Sequence, residues 1–168
     1  TLGIPKNLDL ESLDELYKGM LAICSEYNVT IVGGDIVKSD TIFVSITIFG
    51  TSSKNPMMRS KATKGDMVAV TGFLGNSSGG MRTILDKMDF EPGIMKYLRR
   101  AHWVPSPRIV DGINLCKLGV KCATDISDGL IKDLTEICYQ SSVSADVRLA
   151  DIPIDTILRK AFPGEYHN

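Results

Sequence analysis

Val120-Lys121-Cys122-Ala123-Thr124-Asp125-Ile126-Ser127-Asp128-Gly129-Leu130 runs from a short apolar stretch through an acidic turn into a helical pattern. Val120 to Ala123 predicts a strand. Leu130, Ile131, Leu134, Ile137 and Cys138 recur at helical spacing and predict a helix. A strand that ends in a turn and hands over to a helix is a building block of α/β architecture. The same order recurs upstream: Asp66 to Thr71 predicts a strand, Gly72 to Gly80 is rich in glycine, and the helix after it carries Met81, Ile84, Leu85 and Met88. Glu91 to Ala101 predicts a short helix. Pro105-Ser106-Pro107 predicts the start of another, with Ser106 as cap, Pro107 at the first helical position and Gly119 as terminator. Ala145 to Leu149 predicts one more strand.

Further upstream the pattern changes. Leu10, Leu13, Leu16, Tyr17, Met20 and Cys24 form one apolar stripe, which predicts a helix from Leu10 to Tyr27. Asp9 is its expected cap and Asn28 its expected left-handed stop. Val29 to Val32 predicts a short strand ending at Gly33-Gly34-Asp35. From Ile42 to Gly50, Ile42, Val44, Ile46 and Ile48 point one way and Ser45 and Thr47 the other, which predicts a strand with one apolar face. A helix followed by two strands and a glycine-bearing loop implies an α+β unit built on an antiparallel hairpin. The polar, aperiodic connector Ser52 to Lys64 marks a boundary, giving an α+β unit over residues 1–55 and an α/β unit over residues 56–168. Thr1 to Pro5 has the pattern of a strand already under way, and residues 162–168 close on no capped element. The chain is therefore expected to be a fragment of a longer protein.

The 168 residues hold 19 Lys and Arg against 20 Asp and Glu, a net charge of −1. That balance argues against nucleic-acid binding, which leaves a basic stripe. No apolar run approaches the ~20 residues that span a membrane, and no signal peptide is recognisable at the start. The expected location is the cytoplasm. The cysteines Cys24, Cys116, Cys122 and Cys138 form no Cys-x-x-Cys pair, and no His lies at zinc-finger spacing from them. They are expected to be reduced, inert thiols.

Two turns present carboxylates: Asp35 in the first unit, Asp125 and Asp128 in the second. Two carboxylates ~4 Å apart repel by about 4 kcal/mol at an effective dielectric of 20. A site that gathers several calls for a cation, and Mg²⁺ is the one that takes oxygen ligands and bridges to phosphates. An alternative stands beside this: Ser127 or Asp128 caps the following helix, and Asp35 shapes a loop. The glycine-rich stretch Gly72 to Gly80 is either an anion-binding turn or a close-packing one, since it lacks the P-loop ending and the dinucleotide spacing. Arg59, Lys61 and Lys64 can reach a triphosphate or simply be solvated. His102 and His167 have no nucleophile motif near them.

The order of these pieces is more specific than any one of them. Gly33-Gly34-Asp35, an alternating strand, Arg59-Ser60-Lys61-Ala62-Thr63-Lys64-Gly65-Asp66, Val70-Thr71-Gly72 with Leu74-Gly75, Pro105-Ser106-Pro107-Arg108 and Asp125-Ile126-Ser127-Asp128-Gly129-Leu130 follow one another. This order resembles the thiamine-monophosphate kinase family, within the superfamily named for aminoimidazole ribonucleotide synthetase. The resemblance covers nearly the whole chain. It implies two incomplete domains: an α+β domain that pairs with its twin in a homodimer barrel, and an α/β domain that closes a nucleotide site. It implies transfer of the ATP γ-phosphoryl to thiamine monophosphate with Mg²⁺. It also implies Asp35, Asp125 and Asp128 as metal ligands and Gly34, Arg59 and Ser127 as ATP contacts, with no catalytic base carried over. The alternatives are another ATP-dependent member of the superfamily, selenophosphate-synthetase-like or hydrogenase-maturation-like, or a non-catalytic dimerisation scaffold. Ile36 stands where the family usually has Thr, Asn76 where it often has Asp, and Lys61 where Gly is common. The family's early Gly-Asp-Asp turn and later Gly-Gly-Glu-Asp-Tyr-Glu motif are absent, so these 168 residues alone are expected to show little or no kinase activity.

Overall fold

The computed structural model describes residues 1–52 and 55–164. The chain divides into two compact units, Thr1–Thr51 and Ser52–Asn168.

In the first unit, strand β1 (Leu2–Ile4) lies at the centre of a three-stranded sheet. Strand β2 (Ile36–Lys38) pairs with it in parallel, Leu2 opposite Ile36 and Ile4 opposite Lys38. Strand β3 (Phe43–Val44) pairs with its other edge antiparallel, Leu2 opposite Val44. Parallel neighbours need a long crossover, and helix α1 (Leu10–Glu26) supplies it. Asp9 caps α1 as expected: one carboxylate oxygen accepts the Ser12 amide at 2.7 Å, the other the Ser12 hydroxyl at 2.9 Å. These bonds hold the Asp9 pKa below the usual carboxylate value. Asn28 ends the helix in the left-handed region, φ 53°, while the Val29 amide donates to the Cys24 carbonyl at 2.8 Å. Leu13, Leu16, Met20 and Cys24 are half-buried along one stripe, whereas Leu10 and Tyr17 stay exposed. A Cβ on Gly3 would lie 2.0 Å from the Phe43 ring, so a larger residue there has to displace that ring.

The expected hairpin does not form. Val29 to Val32 joins no ladder, and the long strand from Ile42 shrinks to two residues. The physical reason is β1, which comes between the two outer strands and takes the hydrogen bonds of both. Ile46 and Ile48, 71% and 80% exposed, keep a strand's alternation without a neighbour to pair with among the described residues.

The second unit is built on helices α2 (Asn76–Leu85), α3 (Pro92–Trp103), α4 (Ile109–Lys117), α5 (Leu130–Ser141) and α6 (Thr156–Ala161). Its core joins Leu98, Leu158, Ala161 and Phe162, with Met88, Phe90, Ile94 and Ile154 packed against them. Fully burying a side chain such as Leu98 contributes about 2 kcal/mol. Close approach of α2 to its neighbours explains three glycines. A Cβ on Gly75 or Gly79 would meet Leu158 at 2.7 Å, and one on Gly80 would lie 2.1 Å from the Leu98 carbonyl oxygen. At these positions the glycine-rich stretch is a packing surface. Helix α6 has no counterpart in the sequence reading; it is six residues long, too short to show a period, and Asp155 caps it.

Three strands expected here, 66–71, 120–123 and 145–149, form no ladder. An alternating pattern shows which side chains suit a sheet but supplies no partner, and Met67 is left 93% exposed. Among the described residues of this unit, an isolated parallel bridge joins Leu74 to Ile154. Helix α4 also starts later than expected: Arg108, not Ser106, precedes it, with no side-chain cap. The Arg108 guanidinium lies beside Gly72. Gly119 closes α4 with φ 88°, as expected.

Candidate functional site

The basic connector is fastened to the rest of the second unit through its backbone. The Met58 amide donates to the Lys121 carbonyl at 2.8 Å. The Ser141 hydroxyl, at the end of α5, donates to the Arg59 carbonyl at 2.6 Å and accepts the Ala62 amide at 3.1 Å. The short 3-10 turn Arg59–Lys61 is thereby seated on α5.

That seating aims Arg59. Its Nε donates to the Thr124 hydroxyl at 2.9 Å, and a terminal guanidinium nitrogen lies 3.5 Å from the Asp125 carboxylate. The fold thus brings together two predicted site residues far apart in sequence. Ser127 and Asp128 follow on the next turn, both exposed, and the Asp128 carboxylate accepts from the Lys132 ammonium at 2.6 Å. That bond holds the Lys132 pKa above its ordinary value, with the charges of Asp133 and Glu136 adding to it. Gly34 and Asp35 lie in the first unit at the entrance to β2, both exposed; the Leu2 amide donates to the Asp35 carbonyl at 2.8 Å. Asp35 therefore begins a strand, where the sequence pattern had it following one.

The donor chemistry fits a hard, hydrated cation. The Asp125 and Asp128 side chains are 74% and 54% exposed, and each faces a flexible cationic side chain that phosphate oxygens can attract away. Within either unit, no cluster of three or more His, Cys, Asp or Glu side chains able to hold a metal ion occurs among the described residues. Mg²⁺ tolerates that, since it keeps several waters and takes one or two carboxylates together with substrate phosphates.

Asp133, Thr124 and Lys132 were missed by sequence reasoning. Asp133 is 8% exposed, and one of its carboxylate oxygens accepts the amides of Ser127, Asp128 and Gly129. Its signal was an acid in the first helical turn after the Ser-Asp-Gly turn. His102 is closer to a hydroxyl than its sequence neighbours suggest: the Ser77 oxygen is 3.1 Å from its Nδ1, a staple between α2 and α3. The four thiols are free and half-buried.

The family described as AIR synthase related protein, N-terminal domain, matches residues 1–52. Thiamine-monophosphate kinase of Buchnera aphidicola (subsp. Schizaphis graminum) is 37% identical over 172 aligned residues, covering 100% of this chain and 52% of its relative. The chain is similar to the thiamine-monophosphate kinases throughout its length. The Bacillus subtilis kinase is 31% identical, with 97% of this chain and 51% of that protein aligned. A solved structure described as AaThiL complexed with AMPPCP and TMP aligns at TM-score 0.78 and 26% identity, over 95% of this chain and 51% of that one. The Stenotrophomonas maltophilia thiamine-monophosphate kinase aligns at TM-score 0.83 and 22% identity, over 99% of this chain and 54% of that one, which shows the fold. The architecture is α+β, of the kind these kinases have. The chain spans about half the length of the curated relatives it matches. No helix among the described residues is long and apolar enough to cross a membrane.

Proposed function

We propose that this chain is part of an ATP- and Mg²⁺-dependent kinase that transfers the γ-phosphoryl of ATP to thiamine monophosphate, giving thiamine diphosphate and ADP. The observation that carries this reading is the convergence of Arg59 with Thr124 and Asp125 beside the exposed Ser127-Asp128 turn. A guanidinium next to carboxylates is suited to a metal-bound triphosphate: the cation side chain turns to phosphate while the acids face the metal. The similarity to thiamine-monophosphate kinases supports thiamine monophosphate as the acceptor.

In this reading Asp35, Asp125 and Asp128 are the Mg²⁺ ligands, and Gly34, Arg59 and Ser127 contact ATP. When bound, Mg²⁺ offsets the charge of two anionic reactants. The chain's own contribution is placement. Arg59, anchored by its backbone to Ser141, holds a phosphate oxygen in a fixed direction, and the Ser127 hydroxyl donates to another. The acceptor phosphate attacks in line, with no covalent enzyme intermediate. On the same reading residues 1–55 belong to a dimer-forming α+β domain and residues 56–168 to an α/β domain. The exposed Ile46, Ile48 and Phe49 support a homodimer through the first unit. The setting of such an enzyme is the cytoplasm.

Calorimetric titration of the chain with ATP, with and without Mg²⁺, tests the nucleotide site. Transfer of labelled γ-phosphate to thiamine monophosphate, assayed with the protein extended to its relatives' length, tests the activity. Binding that ignores Mg²⁺, or transfer to water alone, overturns the reading.

A further inference from the structure

Three consecutive backbone amides, those of Ser127, Asp128 and Gly129, converge on one oxygen of Asp133 at 3.0, 3.1 and 3.1 Å. Successive amides that point into one hollow make an anion-binding cup of the kind that elsewhere holds phosphate. Here the anion is internal. Asp133 sits in the first turn of α5, is 8% exposed, and reaches back over Gly129, whose φ of 112° bends the chain around it. The turn has no other side-chain cap. Charge-assisted bonds of this kind are roughly twice as strong as neutral ones.

We infer that Asp133 is a positioning residue: by filling the amide cup it holds the 127–129 turn in the form that presents the Ser127 hydroxyl and the Asp128 carboxylate outward. Two consequences follow. The amides of this turn are consumed, so nucleotide phosphate meets the turn through side chains and not through backbone N–H groups. Asp128 also owes its direction to a buried acid five residues further along, whose oxygen is occupied by the turn's own amides. The inference rests on the proposed nucleotide site for its functional part, while its structural part stands on the three hydrogen bonds.

The experiment compares wild type, Asp133→Leu and Asp133→Asn by amide hydrogen exchange and by Mg²⁺-dependent ATP titration. Asn keeps an oxygen acceptor without the charge; Leu keeps neither. In Asp133→Leu the three amides are expected to exchange about tenfold faster or more, while the later amides of α5 keep their protection. ATP affinity is expected to fall by about tenfold, equivalent to 1.4 kcal/mol. Asp133→Asn is expected to fall between, with acceleration of about threefold, as a weaker acceptor should. If Asp133→Leu does not fold, the Asn variant decides: exchange equal to wild type at all three amides overturns the inference. Accelerated exchange with unchanged ATP affinity also overturns it, because the turn then does not need holding. If the wild type binds no ATP with Mg²⁺, the nucleotide reading fails, and the exchange data alone decide the role of Asp133.

Discussion

The Tyr97 hydroxyl donates to the Asp155 carboxylate at 2.6 Å, joining the middle of α3 to the cap of α6. The other Asp155 oxygen accepts the Ile157 amide at 2.7 Å, and the Asn76 side chain donates to the Tyr97 oxygen at 3.3 Å. Three helices therefore meet at one carboxylate. Tyr97→Phe removes the donor from a buried charged acceptor and is expected to cost about 1.5–3 kcal/mol, read as a lower urea midpoint at unchanged slope.

The same pair sets a pH dependence. Burial pushes the Asp155 pKa up, but the bonds from Tyr97, Ile157 and Asn76 outweigh it and leave the carboxyl below its usual value. A lowered folded pKa gives stability that is present above the unfolded value, about 4, and lost as pH falls through the folded one. Tyr97 is shifted up, first by its bond to Asp155 and then by burial. Its contribution is present below about pH 10 and lost as pH rises through the folded value. Urea unfolding across pH is expected to show both losses, and Tyr97→Phe to reduce the alkaline one, leaving the part that comes from other groups with raised values such as Lys132.

Gly80→Ala is expected to destabilise the second unit by about 3 kcal/mol, the upper part of the usual range for overpacking. The added methyl would lie 2.1 Å from the Leu98 carbonyl oxygen, and backbone cannot turn aside as a side chain can. Gly93→Ala serves as control, since a Cβ there meets nothing within 4 Å. Thermal melts of the two variants distinguish a packing glycine from a merely helical one.

Asp125→Asn and Asp128→Asn are each expected to abolish Mg²⁺-dependent ATP binding in calorimetry. Thermal stability should change little, because both carboxylates are exposed and exposed ion pairs contribute about 0–1 kcal/mol. Unchanged binding in both would leave these carboxylates as ion-pair partners of Arg59 and Lys132 and nothing more.

If the first unit pairs as proposed, the unsubstituted chain is expected to sediment as a dimer in analytical ultracentrifugation and Ile48→Glu as a monomer. The side chain is 80% exposed and lies on an apolar alternation with no neighbour strand among the described residues, so a charge there opposes pairing without disturbing the unit's own packing. A monomeric wild type would remove the basis for this face as a dimer surface.

Much of the helical structure was legible because a helix closes its hydrogen bonds within a few residues. Asp9 before the apolar stripe, Asn28 after it and Gly119 after Leu118 are each local signals, and each does in the structure what its chemistry suggests. The start of α4 is the exception: the helix begins after Arg108 with no side-chain cap, two residues beyond the Ser106 that the Pro-Ser-Pro signal marks. Strands were legible only as candidates. Val29 to Val32 and Asp66 to Thr71 have the right residues, yet a ladder needs a second segment, and nothing in an alternating pattern says where that segment is.

The chain's own order of residues determined the acidic turns, the basic connector, the helices and the likeness to thiamine-monophosphate kinases, all properties carried by short neighbouring stretches. Tertiary structure alone decided that β1 would stand between β2 and β3, that Ser141 would fasten Arg59 beside Asp125, and that Asp133 would fill the amide cup beneath Ser127 and Asp128. In the first two cases the bond joins groups tens of residues apart. In the third it depends on how sharply the chain bends at Gly129. Hydrogen bonds of that kind depend on where the backbone has already been carried, which composition and spacing do not encode.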